Sequence, residues 1–499
     1  MARNTRVLTE LFEKSPPSIN WWSVLVVFLV VAATRFATTV YYIEDIDSLR
    51  FALSATEFDV INNKPHFPGY PVFVALLQCV HAMFNSVALS FSLLGAVATT
   101  GISFALIELV RLNKLKINRI VILILLIFNP LIWVMGNRYM PDLMGLCVLH
   151  WCLVFLLKSL EERDGSAVKW PLVLGLASSI LCGIRLSYLP FLIPGIVLLA
   201  HPRRFFLAVL SFVTMSSLWL GLWIEDVGLS EFIQMAGRDA RGHFTQWGGT
   251  VYSTEVTLLG RLAGAFESLF AHGLGIWMPG RSATIVINSV VLSVLFGVGG
   301  WSFWLKRKRK VSSALLIWLT CCMCYALWAF FFQNITYKPR HMLPLLTPMM
   351  FVLASGVEHI RQRGQGLWGS RWTEVILMAY VFCGIQIGVQ HIQPAAIDQL
   401  RDRIVASPPN AIVHCPDGLI RYYLKESTPH RTFRFAKNAG ELKQVLLADK
   451  EVSILSMTRL SHLEDYDLQT HSFHHNPYVN RLWSTLVLFE YNPPPTSLE

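Results

Sequence analysis

The residues best suited to chemistry lie in one short stretch, Tyr41-Tyr42-Ile43-Glu44-Asp45-Ile46-Asp47-Ser48, which follows an apolar run and leads into Lys64-Pro65-His66-Phe67-Pro68-Gly69-Tyr70-Pro71. Three acids within four positions are costly to keep ionised beside a bilayer unless a site uses them. A carboxylate fixed there can take a proton from an acceptor hydroxyl or amine while a sugar phosphate bond breaks. Asp47 is the first choice for that role, with Glu44 and Asp45 beside it. The prolines around His66 and Tyr70 restrict φ and stiffen the following turn, which a merely solvated charged loop would not need.

Cations with matching chemistry sit at the ends of predicted helices. Arg138 lies in Asn137-Arg138-Tyr139-Met140-Pro141-Asp142, Arg185 interrupts an apolar run, and Lys338, Arg340 and His341 lie in Thr336-Tyr337-Lys338-Pro339-Arg340-His341. The Arg fork suits phosphate oxygens and Lys adds charge, so Arg340, Lys338, Arg138 and Arg185 are candidate ligands of a phosphate or pyrophosphate. Snorkelling to lipid head groups accounts for most cations at helix ends, but less readily for Arg340, between a proline and His341. A longer polar segment carries Arg238, Arg241, His243 and Trp247 among glycines, a mixture suited to a sugar or head group because aromatic faces stack on sugar rings. The plainer readings are an aromatic-belt position for Trp247 and a backbone contact for His243.

The elements that must position these groups follow from composition. The chain is 54% hydrophobic and 15% charged, with a mean hydropathy of +0.47, which places it among polytopic membrane proteins. Its formal charge of +10 is divided among short clusters between apolar runs, the pattern of cytoplasmic loops rather than of nucleic-acid binding. Eleven spans are predicted, at residues 21–41, 86–110, 117–135, 140–160, 171–184, 188–200, 205–224, 283–305, 312–332, 342–357 and 372–389. The cations Arg3, Arg6 and Lys14 precede the first, which is too long for a signal-peptide core and is expected to stay as a span. Segment 68–85 is read as a helix lying at the interface, because counting it as a span would invert the charge pattern of every later loop.

Arg111, Lys114, Lys116, Arg119, Lys158, Arg163, Lys169, Arg203, Arg204, the run 306–310, Arg361, Arg363 and Arg371 then fall on one side, expected to be cytoplasmic. The opposite, outer side receives loops 42–85 and 225–282 and the segment after residue 393. Residues 1–393 are thus expected to form the membrane domain and 394–499 a small α/β domain. Its strands are predicted at 411–414, 431–435, 451–457 and 485–491, and its helices at 418–424 and 439–447. The nine cysteines lie mostly in apolar runs without the spacing of a zinc site or disulfide framework, and no internal repeat is evident.

Taken together, the acid-bearing first loop, the Pro65-His66-Phe67-Pro68-Gly69-Tyr70-Pro71 segment, the Arg138 to Asp142 opening of the fourth span and the Lys338-Pro339-Arg340-His341-Met342-Leu343-Pro344 opening of the tenth resemble the GT-C superfamily of integral membrane glycosyltransferases. Within it the chain is most similar to bacterial protein O-mannosyltransferases and lipid A aminoarabinose transferases, over residues 20 to 390. The resemblance implies a polyprenyl-phosphate-linked sugar as donor, inversion at the anomeric carbon, and an acid of the first outer loop as base. That acid corresponds to Asp47, although Ser48 stands where many relatives have a second acid, which leaves Glu44 and Asp45 to supply it. His66 matches the histidine of the Pro-rich segment, and Arg340 the basic residue facing the donor phosphate.

The expected function is therefore sugar transfer, hexosyl or pentosyl, to a glycan, lipid or protein acceptor at the outer face of the inner membrane, among membrane lipids. The sequence requires no cofactor, carries no phosphate-cradling Gly-Lys-Ser/Thr loop and leaves a divalent cation open. A transporter or flippase of lipid-linked sugars would use the same head-group chemistry without bond cleavage, but such proteins commonly show repeated halves.

Overall fold

The computed structural model describes residues 20–161, 168–199, 201–247, 249–276, 282–306, 312–363, 367–448, 452–461, 463 and 465–493. Arg3, Arg6, Lys14, Arg163, Gly248, Arg281 and residues 307–310 lie outside them. Among the described residues, eight helices are long and apolar enough to cross a membrane, or nine if one bent pair is a single span. The chain is a polytopic helical membrane protein with a small C-terminal sheet.

Proline explains where the spans differ from the expected set. The run at 117–135 is two helices, Arg119–Ile127 and Pro130–Asn137, bent by 55°. Pro130 removes an interior donor, and the Asn129 side chain caps the new helix by accepting from Ile132 N at 3.0 Å. The predicted fifth and sixth spans, at 171–184 and 188–200, are organised differently: helix Lys169–Arg185 continues into the 3₁₀ turn Leu186–Phe191, and only the five-residue helix Ile193–Val197 follows. Pro190 and Pro194 punctuate this stretch. The segment read as interfacial forms helix Pro71–Phe84, whose 14 residues span about 21 Å, short of the ~30 Å hydrocarbon core. The first helix, Trp21–Ala37, is also shorter than the other spans.

The long polar loop is mostly helical. Gly228, at φ +81°, ends helix Pro202–Val227 and starts Leu229–Thr245, a conformation glycine adopts without steric cost. In the latter helix Phe232, Met235, Asp239, Gly242 and His243 face the protein, the i, i+3, i+4, i+7 pattern of an amphipathic helix, while Ile233, Arg238 and Arg241 are exposed.

One close crossing fixes the inner end of the site. A Cβ built on Gly95, in helix Val87–Leu112, would lie 1.8 Å from the carbonyl oxygen of Gly136 in helix Pro130–Asn137. Only glycine permits this approach, which sets Asn137 and Arg138 beside the first helix: Asn137 Nδ2 donates to the Thr38 hydroxyl at 2.8 Å.

The C-terminal sheet has the order β2-β1-β3-β5-β4, with β1 (Ile412–His414), β2 (Arg434–Ala436), β3 (Ile454–Ser456), β4 (Asp467–His474) and β5 (Thr485–Asn492). β1 runs parallel to β2 and β3, and β5 pairs antiparallel with β3 and β4. Helix Ile46–Ser54 joins the sheet to the bundle by burying two faces. Ile46 and Leu49 enter a cluster with Ile397, Leu400, Tyr423 and Leu488, whereas Phe51 and Ala55 pack with Tyr70 and Phe73 in the bundle core. The Tyr423 hydroxyl further donates to the Ile43 carbonyl at 2.7 Å.

Candidate active site

Asp45 starts helix Ile46–Ser54 as its cap, accepting from Ser48 N at 2.8 Å, and Asp47 lies in the first turn. Acids are favoured there by the amide groups and dipole of the helix start. The helix therefore holds its carboxylates at one end while its two apolar faces fix its orientation.

The predicted cations meet these acids. Arg138 places Nη2 2.6 Å from Asp45 Oδ2 and Nε 3.2 Å from Glu44 Oε2, while His391 Nε2 lies 2.5 Å from Glu44 Oε1. Asp47 Oδ2 accepts from Lys338 Nζ at 2.5 Å and from Arg340 Nη2 at 2.6 Å, and Arg50 stands 3.7 Å from its other oxygen. Asp142, fully buried at the start of helix Asp142–Glu161, lies 2.9 Å from Arg185 Nη2 and 3.8 Å from Arg340 Nε. Arg185 also donates to Tyr70 Oη at 3.3 Å and meets His341 Nδ1 at 3.4 Å, and Tyr70 Oη meets His66 Nε2 at 3.1 Å. Two adjoining groups of contacts, one around Glu44 and Asp45 and the other around Asp47 and Asp142, thus draw on six separated segments.

Its electrostatics follow from burial among opposite charges. Burial alone would raise the Asp47 carboxyl, but Lys338, Arg340 and His66 hold it well below the usual carboxylate range. Burial likewise opposes ionisation of Glu44 and Asp45, and Arg138 outweighs it for both, with His391 helping at Glu44. His66 is pushed down to about 3 by burial, with Arg50, Lys338 and Arg185 offsetting the pull of Asp47, so its imidazole is neutral at pH 7. Burial raises Tyr70 to about 12. Asp239, on helix Leu229–Thr245, is pushed up to about 6 by burial despite Arg50.

The other residues of the long segment have different surroundings. Arg238 pairs with Glu231 at 3.1 Å with its side chain 71% exposed, and Arg241 is exposed. His243 Nε2 lies 2.7 Å from the Phe332 carbonyl oxygen. Trp247 lies against Gly242, where a Cβ would come within 2.4 Å of the indole. None of these four bonds to the acid cluster.

Several members of these groups escaped the sequence reading. Asp142 had a visible signal, an acid opening an apolar span, but its partners Arg185 and Arg340 are distant in sequence. His391 follows the last long helix and carried no motif. Arg50, three residues beyond Asp47 on the same short helix, could have been found from the i, i+3 spacing.

Beside the cluster is a narrow recess lined by Asp45, Arg138, Lys338 and Arg340 from the bundle side and by Tyr478, Asn480 and Arg481 from the C-terminal domain. A divalent cation does not fit this donor set. The carboxylates are bound to guanidinium, ammonium or imidazole groups, and among the described residues no three His, Cys, Asp or Glu side chains are placed to hold a metal ion. The arrangement can bind a phosphate through fixed cations and offer a carboxylate to an adjacent acceptor.

No family model matches the sequence, and no curated protein matches it. The fold is nevertheless similar to solved structures. ArnT from Cupriavidus metallidurans, bound to undecaprenyl phosphate, superimposes with a TM-score of 0.51 at 14% identity, covering 95% of this chain and 98% of that one. The arabinofuranosyltransferase AftD from Mycobacteria gives a TM-score of 0.51 at 12% identity, covering 89% of this chain and 37% of that one. The oligosaccharyltransferase of Archaeoglobus fulgidus, tethered with an acceptor peptide, gives 0.49 at 14% identity, covering 88% of this chain and 69% of that one. In overall fold the chain is thus similar to integral membrane glycosyltransferases of the GT-C superfamily.

Proposed function

We propose that the protein transfers a sugar, with inversion, from a polyprenyl-phosphate donor to an acceptor at the outer face of the membrane. The observation that carries this reading is the buried pairing of Asp47 with Lys338 and Arg340 at the edge of the recess. The undecaprenyl phosphate bound to the ArnT of similar fold supports the same donor class.

The pairing has a mechanistic consequence. A carboxylate tied to two cations is ionised but a weak base, and those cations are the groups a donor phosphate would use. Binding of the phosphodiester draws Lys338 and Arg340 away from Asp47, which raises the basicity of Asp47 as the donor settles. Asp47 then takes the proton of the acceptor hydroxyl or amine, the acceptor atom bonds to the anomeric carbon, and the bond from that carbon to the phosphate oxygen breaks. Polyprenyl phosphate leaves with the electron pair, and Arg340, with Lys338 and Arg138, stabilises the charge it gains. Glu44 and Asp45 orient Arg138, while His66, neutral and bonded to Tyr70, shapes the wall beside Arg185.

The test is a reconstitution of the purified chain with synthetic undecaprenyl-phosphate hexoses and pentoses and a candidate acceptor. Undecaprenyl phosphate and glycosylated product should appear in equal amounts, with inverted anomeric configuration. Movement of the lipid-linked sugar across a vesicle bilayer without release of undecaprenyl phosphate would instead support a flippase.

A further inference from the structure

One wall of the recess does not come from the membrane bundle. Tyr478, Asn480 and Arg481 lie between β4 and β5, and each is fastened across the seam. Tyr478 Oη donates to the Ile276 carbonyl at 2.5 Å, Asn480 Nδ2 to the Glu44 carbonyl at 3.4 Å, and Arg481 Nη2 pairs with Glu267 at 2.7 Å. The turn is thus held over the acid loop itself, and Asn480 touches the backbone of one of its acids.

Arg481 is not saturated by these contacts. Its Nη1 is buried and makes no hydrogen bond, and a buried donor without an acceptor is unfavourable. An oxygen supplied by a ligand in the recess would remove that cost. The charge around it indicates which oxygen. Across both groups of ion pairs, Arg50, Arg138, Arg185, Lys338 and Arg340 face Glu44, Asp45, Asp47 and Asp142, an excess of one cation that a phosphodiester's single negative charge neutralises. Arg481 is already balanced by Glu267, so it has a free donor but no surplus charge, which suits a neutral hydroxyl. Tyr337 and Tyr478 in the same lining add the aromatic surface that sugar rings favour.

We propose that the β4–β5 turn completes the sugar subsite, with Arg481 donating from Nη1 to a hydroxyl of the donor's sugar, so that the C-terminal domain helps select the sugar. This rests on Lys338 and Arg340 holding the donor phosphate.

The experiment compares binding of undecaprenyl phosphate with that of undecaprenyl-phosphate hexoses and pentoses to the full-length protein in detergent, carrying forward the sugar lipid that wild type binds most tightly. Arg481→Ala should weaken that lipid on the order of tenfold and leave undecaprenyl phosphate unchanged. Glu267→Gln, which removes the anchor but keeps the guanidinium, should retain most of the sugar-dependent affinity. Equal weakening of both lipids by Arg481→Ala would put Arg481 on the phosphate and overturn the proposal. So would an effect of Glu267→Gln as large as that of Arg481→Ala, or no effect of either. Failure of wild type to bind undecaprenyl phosphate at all would overturn the donor reading beneath it, a result distinct from any of these.

Discussion

Asp47 and Arg340 form the pair on which the proposed chemistry turns. Both are buried, and their contact is short, so removing one partner leaves the other as an unpaired charge in a poorly solvated place. Arg340→Ala should therefore weaken undecaprenyl phosphate binding by about 2–5 kcal/mol, measured on protein confirmed as folded, while Arg340→Lys restores only part because the fork geometry is lost. Unchanged binding would return Arg340 to the class of cations that snorkel. His66 supplies a pH signature of different origin. Its folded pKa, about 3, lies below the ordinary value of 6.5, so the unfolded chain takes up a proton that the folded site refuses. Stability from this residue is complete above 6.5 and is lost as pH falls toward 3. Over the upper part of that window the contribution of the depressed carboxylates Asp47, Glu44 and Asp45 is constant, because it is fully present above their ordinary values near 4 and is lost only below them. His66→Gln should accordingly flatten the fall in thermal stability between about pH 6.5 and 4.5, and an unaltered slope would show that another group causes it. The acids, Arg138, Lys338 and Arg340 were legible in the sequence because each carried a local motif. Asp142, His391 and Arg481 were not, because their meaning depends on partners brought together only by folding.

At the scale of elements, the site depends on helices that end where a charged side chain is needed. Pro130 breaks one span so that Arg138 emerges beside the acid loop, and the Gly95–Gly136 contact holds that break against its neighbour. Gly95→Val should force the two helices apart, lowering the melting temperature and disturbing donor binding together. Intact stability and binding would mean that the crossing does not position Arg138. Most of the spans were readable from hydropathy, although the predicted fifth and sixth give one span, the third is a bent pair and the first is a shorter helix; four of the five strands were readable as well. β4 was missed because it lies at the sheet edge with half or more of its side chains exposed, which hides the alternation of a half-buried strand. Helix Leu229–Thr245 was read as a loop because Gly237, Gly242 and its charges masked a 3.6-residue pattern running through Phe232, Met235, Asp239 and His243.

For the whole molecule, helix Ile46–Ser54 makes the bundle and the C-terminal sheet a single working unit, since it is buried against both. The acids, the cations paired with them and the β4–β5 turn gather at one end, whereas Arg111 and Lys158 converge on Glu108 near the opposite ends of the helices that carry them. The proposed placement of the site at the outer face rests on the charge asymmetry of the loops through the positive-inside rule. A cysteine introduced at Asp417 should react with an impermeant reagent from outside, and one at Lys308 only from inside. Cytoplasmic labelling at 417 would reverse the orientation and with it the compartment of the acceptor.

The central claim is that Asp47 both occupies the phosphate-binding cations in the empty site and serves as base once the donor displaces it. Asp47→Asn keeps size and polarity but removes the charge and the base. With purified protein and an undecaprenyl-phosphate sugar, it should reduce turnover at least roughly a hundredfold, while undecaprenyl phosphate binds as tightly as to wild type or more tightly. Glu44→Gln and Asp45→Asn, which act through Arg138, should have smaller effects on turnover. Near-normal turnover in Asp47→Asn would contradict the account.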